Sequence, residues 1–130
     1  MTKNLEFSGS TEIAEILASM NEEGAFLISV LTDLAGFPIA WAAVSEQDPD
    51  MQSAVVALIQ KTARQVRDQL GMAQMDEISV FDAKGQRLVC RPFNANGHEL
   101  ILAVLIPQRD QTYRRLTNRS VRAIQIGWKL

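Results

Sequence analysis

Apolar residues recur along this chain at two different periods, and the points where the period changes divide it into elements. Ile13, Ile16, Leu17 and Met20 fall on one helical stripe. Ser10 or Thr11 stands ready as cap, and Glu12 and Glu15 suit the positive end of the helix dipole, which predicts a helix over 11–20. Two nearly continuous apolar runs follow, 24–31 and 39–44, joined by the turn Asp33-Leu34-Ala35-Gly36-Phe37-Pro38. Pro38 holds Phe37 extended and starts the second strand. Strands apolar on both faces imply a sheet covered on both sides. Asp48-Pro49 then opens a long helix that ends at Gly71, with the cap, the first-turn proline and the terminal glycine in their usual places. Strands are predicted at 77–82, 87–93 and 99–106, with hairpin turns at Ala83-Lys84-Gly85 and at Asn96-Gly97, where both residues tolerate φ > 0. The run 99–106 reads as central because it is apolar on both faces. A last helix is predicted over 111–129, with Tyr113, Leu116, Ser120, Ile124, Gly127 and Trp128 on one face, Arg115, Arg119, Arg122 and Lys129 on the other, and Ile126 outward among the polar residues.

The order helix, two strands, helix, three strands, helix gives an α+β fold, a five-stranded antiparallel sheet with helices on both faces. Residues 1–10 read as a flexible N-terminal arm and 11–130 as the domain. The apolar residues of the long helix, Met51, Val55, Val56, Leu58, Ile59, Ala63, Val66 and Leu70, spread over an arc of about 160°, wider than one sheet face needs. Two readings of that width stand: a large core helix lying flat on its sheet, or a helix with one shoulder, Val56 and Ala63, that meets the same helix of a second subunit. Ser53, Gln60, Lys61, Arg64, Arg67 and Asp68 fall on its other side.

Charge sharpens the picture. The chain has 130 residues and a formal net charge of −2, but residues 1–50 carry nine acids against Lys3, a net of −8. Residues 109–130 carry six cations against Asp110, a net of +5. Either the two terminal helices pack side by side, or the last helix offers a basic surface to an acidic partner. With 47% hydrophobic and 22% charged residues the chain is of globular composition. A lone cysteine, Cys90, fits a reducing compartment, and the absence of a long apolar segment near Met1 or elsewhere points to a cytosolic protein with no membrane span.

Chemistry is in short supply. His98 is the only histidine and Cys90 the only cysteine. The hairpin places His98 at the tip and Cys90 several residues down the strand, too far apart at about 3.3 Å per residue to share a metal or act as nucleophile and base. No Gly-rich phosphate-binding loop occurs. The paired carboxylates Glu22-Glu23, Asp48/Asp50 and Asp76-Glu77 sit at element ends, where acids cap helices or face water. Tyr113 and Trp128 lie on the apolar face of the last helix, so no aromatic residues interleave with its arginines, and the net charge is negative; nucleic-acid binding is disfavoured. The expectation is a protein with no catalytic residues, no metal and no cofactor.

The pieces Gly24-Ala25-Phe26-Leu27-Ile28, Asp33-Leu34-Ala35-Gly36-Phe37-Pro38-Ile39-Ala40, Arg91-Pro92-Phe93 with Gly97, the strand 100–105 and the arginine-rich last helix resemble, in order and spacing, the Roadblock / dynein light chain family, including its bacterial small-GTPase regulators. The second piece is similar to the family's D-x-x-G-x-P-x-A hairpin, with Ala35 where an acid often precedes the glycine. The resemblance covers about residues 11–129. It implies a profilin/longin-like fold and a homodimer in which the strands at 77–82 pair across a two-fold axis and the long helices pack together above a continuous ten-stranded sheet. It further implies an adaptor that binds a Ras-like small GTPase carrying its own nucleotide and catalytic groups. On this basis Val56, Ala63, Ile59, Ile78 and Val80 are expected at the dimer interface, and Gln60, Arg64 and Arg67 at the partner. The alternative is a scaffold subunit of a motor or signalling complex, docked through Arg115, Arg119, Arg122 and Ile126.

Overall fold

A computed structural model describes residues 5–9, 11–44 and 46–128. The elements in chain order are β1 (Leu5–Gly9), α1 (Thr11–Gly24), β2 (Ile28–Asp33), β3 (Pro38–Val44), α2 (Pro49–Leu70), β4 (Ile78–Phe81), β5 (Arg87–Ala95), β6 (His98–Ile106) and α3 (Arg114–Gly127). All described strands join one antiparallel sheet in the order β1-β3-β2-β6-β5-β4. The five expected strands are present. A sixth, β1, pairs with β3 in the register Leu5↔Val44 to Gly9↔Ala40. This corrects the expectation of a loose arm for residues 5–9: β3 would otherwise expose its outer row of backbone groups, and β1 takes them. Residues 1–4 and Ser10 of that arm lie outside the described residues.

β6 is central, flanked by β2 and β5, as its two apolar faces require. Leu100, Leu102, Val104 and Ile106 point to one side, beneath α1 and α3, where Leu17, Met20, Leu116 and Ile124 close the larger core. Ile101 and Ala103 point to the other, beneath α2, with Ile28, Val30, Ala43 and Val56. The sheet is therefore the middle of three layers. α1 and α3 pack side by side, and Arg119 is paired with Glu23 across them. This is the first of the two readings of the charge polarity.

Two turns use one device. The Asp33 carboxylate accepts hydrogen bonds from the backbone N–H of Ala35 and Phe37, each 2.9 Å, and Gly36 takes φ +86°. The Asp82 carboxylate does the same for Lys84 and Gln86 at 2.9 and 2.8 Å, and Gly85 takes φ +90°. An Asp that folds its own backbone followed by a glycine three residues on fixes a tight turn. A Cβ on Gly36 would lie 2.6 Å from Ala57 Cβ and 2.8 Å from the Ser53 carbonyl oxygen, so this turn also packs directly on α2. At Asn96-Gly97 both residues have positive φ, +50° and +86°, as the turn chemistry predicts.

α2 begins on Asp48, whose carboxylate accepts from the N–H of Asp50 and Met51, and ends on Gly71 at φ +67°. No helix of the described residues is long and apolar enough to cross a membrane.

Candidate functional site

α2 lies over the sheet with a well-defined buried side. Val56 is 0% exposed and Ala63 is also buried. Gln52 and Ser53 are buried beside them. The Gln52 amide donates to the Ala103 carbonyl and the Ser53 hydroxyl to the Pro49 carbonyl. This moves the dimer shoulder off Val56, which the chain's own core consumes; Ala63, though largely buried, still borders the groove between α2 and β4. Four of the uncovered apolar residues, Met51, Val55, Leu58 and Val66, form another shoulder about 110° round the helix, and Leu70 is exposed at its last turn. Leu58 is 65% and Val66 42% exposed. Ile59 lies at the border, half-buried.

Beside this shoulder runs β4. It pairs only with β5 and forms one edge of the sheet. Edge strands are usually blunted by proline, bulges or inward charges. β4 reads Ile78-Ser79-Val80-Phe81, with Ile78 half-buried, Val80 49% exposed and Phe81 exposed. Between helix and strand lies an open groove of about 490 Å³, lined by Leu58, Ile59, Val66, Met75, Ile78 and Val80 among others. Four of the five expected interface residues, Ile59, Ala63, Ile78 and Val80, thus come together with Leu58 and Val66, and only Val56 is left out.

β4 is held from its far side by α3. Glu77, just before it, accepts hydrogen bonds from the Tyr113 hydroxyl (2.6 Å), the Ser79 hydroxyl (2.9 Å) and Arg114 (2.7 Å). Asp76 is 3.3 Å from the same guanidinium. Burial pushes the Glu77 carboxyl up, but the hydrogen bonds from Tyr113, Ser79 and Arg114 and the charge of Arg114 outweigh it and leave it below the usual glutamate range. The Tyr113 hydroxyl is raised, by burial first and then by its bond to Glu77. The Arg87 guanidinium stacks over the Phe81 ring at 4.8 Å and the Tyr113 ring at 4.5 Å.

The expected partner-binding residues divide into two groups on opposite faces of the sheet. Gln60, Arg64 and Arg67 follow at i, i+4 and i+7 on the flank of α2 away from the apolar shoulder. They line a cleft of about 340 Å³ with Phe93, Pro92 and Glu99 of the β5–β6 hairpin. Arg67 pairs with the exposed Asp68 at 3.0 Å. Arg115, Arg119, Arg122 and Ile126 lie on α3. Arg119 is bound to Glu23, and Ile126 is 77% exposed.

Cys90 is buried under α2, and its thiol is pushed up to about 12, by burial and then by the charge of Glu77. His98 is exposed at the hairpin end, its ring 5.6 Å from that of Trp128. Among the described residues, no group of three His, Cys, Asp or Glu side chains is placed to hold a metal ion.

Two buried polar groups gave no sequence signal. Asn21 of α1 is buried, its amide donating to the Ala42 carbonyl (2.9 Å) and its oxygen accepting from the Ser29 hydroxyl. Arg91 is buried under α3, donating to the Thr117 hydroxyl at 2.9 Å. Both sit at positions that read as ordinary polar interruptions.

Solved structures share this architecture. A structure titled Myxococcus xanthus MglB superposes with a TM-score of 0.76 at 14% identity, over 92% of this chain and 96% of that one. The gliding protein MglB from Thermus thermophilus gives 0.73 at 18%, over 97% and 96%. A Roadblock/LC7 domain from Streptomyces avermitilis gives 0.66 at 17%, over 87% and 94%. No family model matches the chain, and no curated protein matches it in sequence. The fold is that of the Roadblock/LC7 domain, as the sequence resemblance implied.

Proposed function

We propose that the chain is a non-catalytic adaptor that pairs with a second copy of itself and, through the outer surface of its paired α2 helices, binds a Ras-like small GTPase. The observation that carries this reading is the apolar groove between the free shoulder of α2 and the open edge of β4. The two features adjoin, and a second copy related by a two-fold axis covers both at once: edge strand on edge strand, shoulder on shoulder. Such an arrangement satisfies the outer backbone groups of β4 and removes Leu58, Val66 and Val80 from water. The small-GTPase partner is supported by the likeness in fold to the bacterial regulators named in the resemblance. Gln60, Arg64 and Arg67 flank the paired helices and supply the polar contacts.

Sedimentation equilibrium on the purified chain should give a dimer. Each Ras-like GTPase of the source organism, loaded with GDP or with a non-hydrolysable GTP analogue, should then be titrated against that dimer. The reading expects one of them to bind with a clear preference between the two nucleotides. A monomer with an intact fold overturns the pairing. Binding that ignores the nucleotide reduces the chain to a passive scaffold.

One observation favours a second docking face. Ile126 is exposed beside Arg122 on α3, and Arg122 has no ion pair among the described residues. In a scaffold docked through this face, Ile126→Asp with Arg122→Glu abolishes recruitment and leaves the dimer intact.

A further inference from the structure

The two grooves along α2 differ in chemistry. The one facing β4 is apolar. The other, between the C-terminal half of α2 and the β5–β6 hairpin, is walled by Arg64, Arg67, Gln60 and Glu99, with Pro92 and Phe93 as its apolar side. Met75 lines both, so they are neighbours separated by one side chain. A second copy seated on the apolar shoulder leaves the polar cleft open on the outer flank.

The cleft has unmet demands of two kinds. Arg64 is exposed and has no ion pair among the described residues, and Arg67 has only its exposed neighbour Asp68, a contact of little strength. Donors are therefore in surplus. The Gln60 carboxamide oxygen is the reverse: it is shut off from water and receives no hydrogen bond. A buried acceptor without a donor is costly, and a partner that brings an N–H satisfies it once the side chains around it shift. With Glu99 in the cleft wall and Asp68 on Arg67, Arg64 is the one cation of the cleft without an ion pair among the described residues, which disfavours a multiply charged anion such as a nucleotide phosphate tail. A single carboxylate carried on a peptide meets every condition. Its oxygens take the arginines, its backbone N–H reaches Gln60 as the guanidinium groups swing onto the acid, and its aliphatic stem lies on Phe93.

We propose that this cleft is a receptor for one acidic residue, Asp or Glu, on an extended loop of the docked protein partner. The inference rests on the adaptor reading, and it adds which part of the partner enters and by what chemistry. It also gives Arg64 and Arg67 a binding role and not a catalytic one.

The test does not need the partner. N-acetyl-aspartate N-methylamide is titrated into the isotope-labelled dimer and followed by NMR, with the asparagine analogue and sodium sulfate as comparators. Shifts should appear at the Gln60 side-chain amide, Arg64, Arg67 and Phe93 for the aspartate probe. The asparagine analogue should bind at least about tenfold more weakly, because the charge-assisted bonds are lost. Arg64→Glu should remove the response. Gln60→Leu, which replaces the orphan acceptor with an apolar group, should fold normally and lose the preference for the aspartate probe over sulfate. The proposal is overturned if sulfate shifts the same residues as strongly, if Arg64→Glu responds unchanged, or if the asparagine analogue binds equally well. A GTPase that binds the parent and the Arg64→Glu, Arg67→Glu variant equally also overturns the cleft while leaving the adaptor reading standing. An intact probe response with no GTPase bound upholds the cleft and rejects the GTPase.

Discussion

Val56 and Leu58 stand two residues apart on one helix and should respond oppositely to truncation. Val56 is 0% exposed, beneath α2 and against the sheet. Val56→Ala removes two buried methyl groups and leaves a cavity, at a cost of about 2 kcal/mol of folding free energy. For a domain of this size that lowers the melting temperature by about 8 °C. Val56 itself is no part of the groove lining, so self-association measured well below the transition should be unchanged. Leu58 is 65% exposed in the single chain, so Leu58→Ala costs the fold little. In the proposed dimer the remaining two-thirds of the side chain is buried, and burial of a whole leucine is worth about 1.5–3 kcal/mol. The two-fold axis doubles the loss. Allowing for the Cβ that stays, Leu58→Ala removes about 2–3 kcal/mol of association free energy, or roughly 30- to 200-fold in the dimer Kd. Sedimentation equilibrium over a concentration series reads the Kd, and thermal melts at dimer-saturating and dilute concentrations read the fold. A Leu58→Ala protein that dimerises as tightly as the parent refutes the assignment of this shoulder, whatever Val56→Ala does.

Glu77 sets an acid limit. Its folded carboxyl lies below the ordinary value of 4.5, so the stability it contributes is present at neutral pH and is lost as pH falls below about 4.5 through the folded value. Glu77→Gln should flatten the pH dependence of stability in that window, read by urea melts from pH 3 to 7; an unchanged slope rejects the clasp. Cys90, buried and pushed up to about 12, should resist thiol reagents at pH 8 in the folded chain and react at the rate of unfolding, measured by reagent absorbance with and without denaturant. Gly36→Ala should cost about 2 kcal/mol, from the positive φ together with the close approach to Ala57 and Ser53, whereas Gly97→Ala, with open space around its Cβ, should cost only the backbone part, about 1 kcal/mol. Chemical denaturation of the two variants separates these costs.

The elements were legible where one local rule decides them. Asp48, Pro49 and Gly71 mark the ends of α2, Asn96-Gly97 marks its hairpin, and the doubly apolar run of β6 marks the sheet centre. Periodicity also announced that α2 has too much apolar surface. It did not say which shoulder is surplus, because an arc of about 160° has no unique centre until the sheet chooses one. The sheet chose the side of Val56, where the Gln52 amide also finds the Ala103 carbonyl. Ser53, read with the polar side, is buried there instead, its hydroxyl bonded to the Pro49 carbonyl one turn back. β1 was hidden for a different reason: a five-residue edge strand is specified by the partner it pairs with and hardly by its own composition. Asn21 and Arg91 are buried through contacts some twenty to thirty residues distant, which no window along the chain contains.

The edge strand and the last helix form one mechanical unit. β4 is only four residues long and has a single neighbouring strand, a combination that by itself frays. Its stiffness comes from side chains behind it: Glu77 bound by Tyr113 and Arg114, and Phe81 held under Arg87, which also stacks on Tyr113. The gripping groups come from the start of α3 and from β5 and leave the outward row of backbone groups open while the strand is fixed in place, although Glu77 itself also borders the groove. An edge held in its bound conformation before association loses less freedom on pairing, and that lowers the cost of forming a dimer. The clasp also joins the two faces of the molecule. Arg114 opens α3, the helix that carries Arg122 and Ile126, and the same residue grips the strand at which the second copy is proposed to sit. Glu77→Ala should therefore weaken self-association although Glu77 lies outside the open row of backbone groups that the partner strand would use. If the Kd of that variant equals the parent's, the edge is stiff without its clasp and the two faces are independent.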